Sequence, residues 1–318
     1  MSLANVVADI GGTNIRIGIS TGSGIVTRIE KKKCAEYPSL QAVLAEYIEE
    51  KGLTEKRINM CLAIACPVEN DLVVMTNLPW QFSKTELKQE LNLRKLFVIN
   101  DYTAIAFSVP LLNSKQKVQI GEGTSVPNKP ISICGPGTGL GVAHIQPQFG
   151  HWHHIACEGG HTDFAPVDET EINILSFLLK KYEHVSYEQL LSGLGLEQIY
   201  QAIHPDNAQR SASEITASAL AKDDEVAEET LAQFCRTLGS FAGNLALTVG
   251  SFGGVYIAGG IAPRFVEYIE SSDFRQRFEA KGRLSSFNQN IPTYVITESQ
   301  PGLIGASSYI NQQISEGM

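Results

Sequence analysis

No apolar run in this chain approaches the ~20 residues that a bilayer-spanning helix requires, so a helical membrane protein is excluded. The opening residues lack a basic segment, a long apolar core and a small-residue cleavage site; no secretory signal is expected, and a cytoplasmic location is. Positive charge is in deficit: 25 Lys and Arg stand against 34 Asp and Glu, for a net charge of −9. Such a balance opposes a polyanionic backbone, and nucleic acid is not expected as a partner. The six cysteines show no C-x-x-C and no paired Cys/His spacing, and several lie inside apolar runs as reduced core thiols do. Neither a disulfide nor a structural zinc is expected. The two commonest nucleotide fingerprints, G-x-x-x-x-G-K-[ST] and G-x-G-x-x-G, are missing too, as are low-complexity segments.

What is present is a chain of 318 residues, 43% hydrophobic and 19% charged, long enough for two α/β domains. Asn5-Val6-Val7-Ala8-Asp9-Ile10 is an apolar run broken by Gly11-Gly12-Thr13-Asn14, after which Ile15-Arg16-Ile17-Gly18-Ile19 alternates with period two. That is strand, glycine turn, strand. The arrangement recurs at Ile131-Ser132-Ile133-Cys134, Gly135-Pro136-Gly137-Thr138-Gly139 and the run that follows from Leu140, so two related halves are expected. Between them, apolar runs at 60–65 and 96–99 flank a helix-like stretch at 83–91, which implies a parallel or mixed sheet. Helical periodicity then marks 171–182, 187–191, 197–202, 212–221 and 225–249; strands return at 254–258 and 293–296, and a helix over 303–314 closes the chain.

Several residue groups suit chemistry, each with a plainer structural alternative. Asp9 at a strand end, beside glycines that let backbone N–H groups approach an anion, suits a phosphate with its magnesium; the alternative is a tight hairpin. The second turn, with Gly137 and Thr138, strengthens the first reading, because two such turns can clasp a polyphosphate. Gly259-Gly260 follows a late strand, where a helix start would lie against a flat base or ribose. Asn100-Asp101 ends one strand and opens a helix, the place for a general base or for an ordinary N-cap. Glu158-Gly159-Gly160-His161 is either a glycine turn or an acceptor and donor converging on a polyol. His151, His153 and His154 lack an acidic or cysteine framework and read as surface histidines.

Taken in order, Asp9-Ile-Gly-Gly-Thr-Asn14, Thr76-Asn-Leu-Pro-Trp80, Ile99-Asn-Asp101, Gly135-Pro-Gly-Thr-Gly-Leu-Gly141, Glu158-Gly-Gly-His161, Ser186-Tyr-Glu188 and Ala258-Gly-Gly260 resemble the proteobacterial ATP-dependent glucokinases over essentially the whole chain. The resemblance implies an α/β, two-domain hexokinase/actin-like (ribonuclease H-like) fold with a cleft: residues 1–109 completed by 301–318, and residues 110–300. It implies glucose and ATP as substrates, magnesium, and a homodimer. Asp101 matches the family's catalytic base; Asn100, Glu158, His161 and Glu188 match its sugar ligands, with the last three serving sugar and not nucleotide. Asp9, Gly11, Gly12, Thr13, Asn14, Gly137 and Thr138 match its phosphate turns, Asp9 lying near magnesium through water, and Gly259 and Gly260 its adenosine site. The C-x-C-G-x-x-x-C signature of the ROK branch is missing, and no helix-turn-helix pattern precedes Asp9. A kinase for another hexose and a catalytically silent sugar-sensing protein are the alternatives; an actin-like ATPase would have no use for the polyol set.

Overall fold

Runs of β-branched residues broken by turns build the first sheet of the computed structural model, which describes residues 2–206 and 208–316. Strands β1 (Leu3–Ile10), β2 (Asn14–Gly22) and β3 (Ile25–Lys33) form an antiparallel meander. Helix α1 (Leu40–Glu50) follows, started by Ser39, whose side chain accepts the Ala42 N–H. Its Leu40, Val43, Leu44, Tyr47 and Ile48 recur at helical spacing and are buried. Strand β4 (Arg57–Ile64) pairs parallel with β1, the short β5 (Leu72–Val74) and β6 (Gln81–Ser83) form a ribbon, α2 (Lys84–Glu90) follows, and β7 (Leu93–Asn100) pairs parallel with β4. Helix α3 (Asp101–Ser108) begins directly at the end of β7. The sheet order is β3-β2-β1-β4-β7.

Period-two alternation gives this sheet two apolar faces. Val6, Ala8 and Ile10 pack on the side of α1 with Leu40, Val43 and Tyr47, whereas Val7, Cys61, Ala63 and Ile99 pack on the other side with Ala104.

The second unit, Asn113–Thr297, repeats the plan. After β8 (Lys117–Ile120), strands β9 (Ile131–Pro136), β10 (Leu140–Gln148) and β11 (His151–Ile155) form another antiparallel meander. Helices α4 (Glu169–Leu178), α5 (Gly193–Ile203), α6 (Ala212–Ala221) and the long α7 (Glu225–Val249) precede β12 (Val255–Ile257), which pairs parallel with β9. Three short helices, α8 (Val266–Ser271), α9 (Phe274–Glu279) and α10 (Ser285–Gln289), lead to β13 (Thr293–Ile296). The order β11-β10-β9-β12-β13-β8 matches the first sheet, with β8 added antiparallel at the edge. Buried faces of α5, α6 and α7 supply a large share of this unit's core, with α7 the largest contributor.

The last helix, α11 (Pro301–Glu316), returns to the first unit, Met1–Leu112 with Glu298–Met318. Its Leu303, Ala306 and Ile310 complete the second apolar face of the first sheet. A Cβ on Gly305 would stand 1.5 Å from the Ala104 carbonyl oxygen, so α3 and α11 touch backbone to backbone. Residues 317–318 of the expected closing segment lie outside the described residues.

Two sequence expectations are corrected. The periodic stretch 187–191 is a single 3-10 turn, Tyr187–Gln189, because the Ser186–Gln189 capping box opens it and Ser192 starts a new helix at Gly193. That helix, expected from 197, therefore begins four residues earlier. The histidine run lies on edge strand β11, with His154 exposed and His151 and His153 half-buried.

Candidate active site

The first unit carries one group of the singled-out residues. Asp9 stands one residue from the end of β1, paired across the hairpin with Arg16, whose guanidinium lies 3.7 Å from its carboxylate. The Gly11 N–H donates to the Asn14 carbonyl at 3.0 Å, which closes the turn and leaves Gly12 and Thr13 at its tip. Among the described residues the N–H groups of Gly12 and Thr13 make no hydrogen bond to protein. Gly12 cannot carry a side chain, since a Cβ would meet the Asn77 Cβ at 2.8 Å. Asp9 faces the first turn of α11, where a Cβ on Gly302 would lie 2.8 Å from its Cγ. Burial pushes the Asp9 carboxyl above the usual carboxylate range, and Arg16 works against that rise.

Asn100 ends β7 and caps α3: its Oδ1 accepts the Tyr102 N–H at 2.9 Å. The N-cap reading therefore holds for Asn100. The amide Nδ2 remains a donor that the cap does not use. Asp101, half-buried, is the first helical residue, its Oδ1 3.0 Å from the same N–H. In parallel register Asp9 sits opposite Ala63 and Asn100 opposite Ile64. Asp9 on β1, Asn100 on β7 and Asp101 just after it thus stand at the carboxyl ends of the two parallel strands that flank β4, the edge at which open α/β sheets take ligands.

The second unit gathers the other residues around Leu140. In the turn from β9 to β10, Gly137 donates its N–H to the Gly139 carbonyl at 2.8 Å and accepts the N–H of Gly193, the first residue of α5, at 2.9 Å. Thr138 is exposed at the tip, and among the described residues its N–H makes no hydrogen bond to protein. Gly11 and Gly137 thus spend their N–H groups inside the turns, leaving Gly12, Thr13 and Thr138 as the donors at the tips.

At the base of the turn, Leu140 donates its N–H to Glu188 Oε2 at 2.8 Å. The 3-10 turn Gly159–His161 rests on the same residue, because a Cβ on Gly160 would lie 2.1 Å from the Leu140 carbonyl oxygen. This places His161 Nε2 4.0 Å from Glu188 Oε2. Glu158 begins the turn and accepts the His161 N–H on its carbonyl at 3.1 Å. From the other side, Gly259 has φ +86° and leaves no room for a Cβ, which would stand 2.4 Å from the Pro136 carbonyl oxygen. Around Gly260 the space is open. A 3-10 turn, Ala262–Arg264, separates these glycines from α8, so no helix starts directly at Gly260.

Sequence reasoning assigns Glu188 to sugar alone; the structure adds its bond to the base of the turn between β9 and β10. It also misses Arg16, Gly193 and Gly302. Arg16 is legible in the hairpin register, which places it opposite Asp9. The others answer to contacts between segments far apart in the chain, for which one sequence carries no local signal.

A family model described as glucokinase matches residues 6–313 of the chain. The glucokinase of Colwellia psychrerythraea is 54% identical over 317 residues, covering 97% of this chain and 96% of that protein. A solved glucokinase from an Antarctic psychrotroph superposes with a TM-score of 0.89 at 35% identity, covering 97% of this chain and 99% of that one. A Balamuthia mandrillaris glucokinase solved with glucose superposes at 0.77 with 21% identity, over 97% and 93% of the two chains, and so shares the fold.

Proposed function

The chain belongs to the glucokinase family, of hexokinase/actin-like fold, and transfers phosphate from ATP to glucose; we propose that it does so with Asp101 as the general base. The observation that supports this assignment is the shared strand edge of Asp9, Asn100 and Asp101. The 6-hydroxyl oxygen of glucose attacks the γ-phosphorus, its proton passes to the Asp101 carboxylate, and the bond to the β–γ bridging oxygen breaks to release ADP. Asn100 positions the same hydroxyl. Glu158, His161 and Glu188 pair with the other sugar hydroxyls, while the Gly11–Asn14 and Gly137–Thr138 turns hold phosphate oxygens and Gly259–Gly260 the adenosine.

No cluster of three His, Cys, Asp or Glu side chains that could cage a metal exists among the described residues. A lone carboxylate, Asp9, suits magnesium, which keeps most of its waters and binds through one or two carboxylates and the nucleotide phosphates. When bound, the ion neutralises charge on the β- and γ-phosphates. We also assign the protein to the cytoplasm, to the entry of glucose into glycolysis and to a homodimer, all on the family resemblance. No helix among the described residues is long and apolar enough to cross a membrane.

A coupled assay with ATP and a hexose panel tests the reading. Asp101→Asn lowers kcat by at least ~10²-fold with an unchanged circular dichroism spectrum. Glucose exceeds mannose, galactose and fructose in kcat/KM, since an epimer leaves a buried polar group unpaired. Near-normal turnover by the variant would leave Asp101 as a helix-starting residue only, and equal use of the four sugars would overturn the sugar assignment.

A further inference from the structure

The Glu188 carboxylate meets two functions at one point. Its Oε2 accepts the Leu140 N–H at the base of the phosphate turn, 2.8 Å away, and lies 4.0 Å from His161 Nε2. Gly139, inside that turn, is bare for the same reason: a Cβ there would stand 2.5 Å from Oε2. The backbone that carries Glu188 is held on all sides. Tyr187 donates its N–H to the Thr162 carbonyl at 3.1 Å, and its hydroxyl accepts from Asn244 Nδ2 at 3.1 Å. Asn244 in turn accepts from Lys281 Nζ at 2.8 Å, and the Ser186–Gln189 capping box closes the turn itself. A side chain on so fixed a mount serves as a reference point for whatever it touches.

We propose that Glu188 is a latch: one carboxylate holds the base of the phosphate turn through Leu140 and receives the sugar, so that the turn's shape depends on a residue of the sugar subsite. The inference rests on the reading of Glu188 as a sugar ligand, and adds to it a positioning role toward the nucleotide. A charge-assisted bond to a backbone N–H is among the stronger hydrogen bonds in a protein. Its loss lets Leu140 and the preceding glycines relax away from the geometry that receives phosphate.

The test compares Glu188→Gln with Glu188→Ala in the full-length protein, measuring ADP affinity by calorimetry with magnesium and without sugar, and glucose affinity separately. The amide oxygen of glutamine still accepts the Leu140 N–H, whereas alanine offers nothing. Both variants lose glucose affinity, but only the alanine variant loses ADP affinity, by about fivefold or more, as for one hydrogen bond to a charged group that is partly exposed. A third variant, Gly139→Ala, pushes against Oε2 and raises the KM for glucose at least about fivefold, although it lies in the phosphate turn. Unchanged ADP affinity in the alanine variant, or a Gly139→Ala effect confined to the KM for ATP, overturns the latch and leaves the sugar reading standing. Unchanged glucose affinity in both Glu188 variants overturns the sugar reading instead. A melting curve on each variant confirms that the measurements are made on folded protein.

Discussion

Gly160→Ala is a single methyl group placed where the structure has no room for it. The added carbon would lie 2.1 Å from the Leu140 carbonyl oxygen and 3.1 Å from its carbonyl carbon. Carbon and carbonyl oxygen approach to ~3.3 Å at closest, so the two backbones must separate by about 1 Å. Neither is a flexible side chain that could rotate away: one is β10, hydrogen-bonded to β9 from Leu140 to Ile145, and the other is the 3-10 turn Gly159–His161. The turn is the less tethered of the two, so Glu158 and His161 move with it. A misplacement of ~1 Å in substrate-positioning groups costs on the order of 10²-fold in rate. The expected result is a fall of that size in kcat/KM for glucose, carried mainly by KM, with a smaller change in the KM for ATP. Steady-state kinetics with each substrate varied in turn measures it, beside a thermal melt to show that the fold survives. Values of kcat/KM within threefold of the parent would refute the reasoning, because the contact would then be relieved without moving Glu158 and His161, or those side chains would not serve the sugar.

Three further outcomes follow from individual contacts. Asp9→Asn raises the magnesium concentration needed for half-maximal rate. It also makes the substrate-free protein slightly more stable at neutral pH, because a carboxyl whose folded pKa is raised loses stability as pH climbs above its ordinary 3.8; a lower melting temperature at pH 7 would contradict this. Gly305→Ala drives a methyl into the Ala104 carbonyl, 1.5 Å away, and overpacking of this kind costs ~1–3 kcal/mol or more, read as a melting temperature lower by about 2 °C or more. An unshifted melt would mean that α3 and α11 can slide apart. Lys281, half-buried and donating to the Ser240 carbonyl and Asn244 Oδ1, has its pKa pushed down to about 8 by desolvation. Relative to Lys281→Met, the parent therefore gains stability as pH rises from about 8 toward the ordinary lysine value, since the unfolded chain holds the proton that the folded one has released. Parallel melting curves over that interval would count against it.

The elements that the sequence makes legible are those whose signal is local. Helices α6 and α7 begin and end where periodicity places them, because Ser211 and Asp224 cap their starts and Gly250, at φ +68°, ends α7. Both glycine hairpins are legible for the same reason, since alternation on either side of a glycine turn has few other solutions. Strand β11 is hidden because its apolar residues are replaced by histidines on a sheet edge that needs little burial. Helices α8 to α10 are five or six residues each, too short to establish a period. In the site, residue type and position mark Asp9, Asn100 and Asp101. The convergence on Leu140 is silent in sequence, because an ordinary leucine contributes only its N–H and carbonyl, and those belong to every residue.

The return of α11 to the first sheet has a consequence for the birth of the protein. Val7, Cys61, Ala63 and Ile99 need Leu303, Ala306 and Ile310 to cover them, yet the ribosome makes α11 roughly 190 residues after α3. At ~5–20 residues per second, the nascent sheet presents a bare apolar face for roughly 10–40 s while the whole intervening unit is synthesised. During that interval the chain is a client for chaperones, and its neighbours on a polysome carry the same uncovered surface. A stop codon placed before Leu303 makes the interval permanent: the released chain has a sheet that cannot close, and goes to aggregates or proteases instead of surviving as a weakened enzyme.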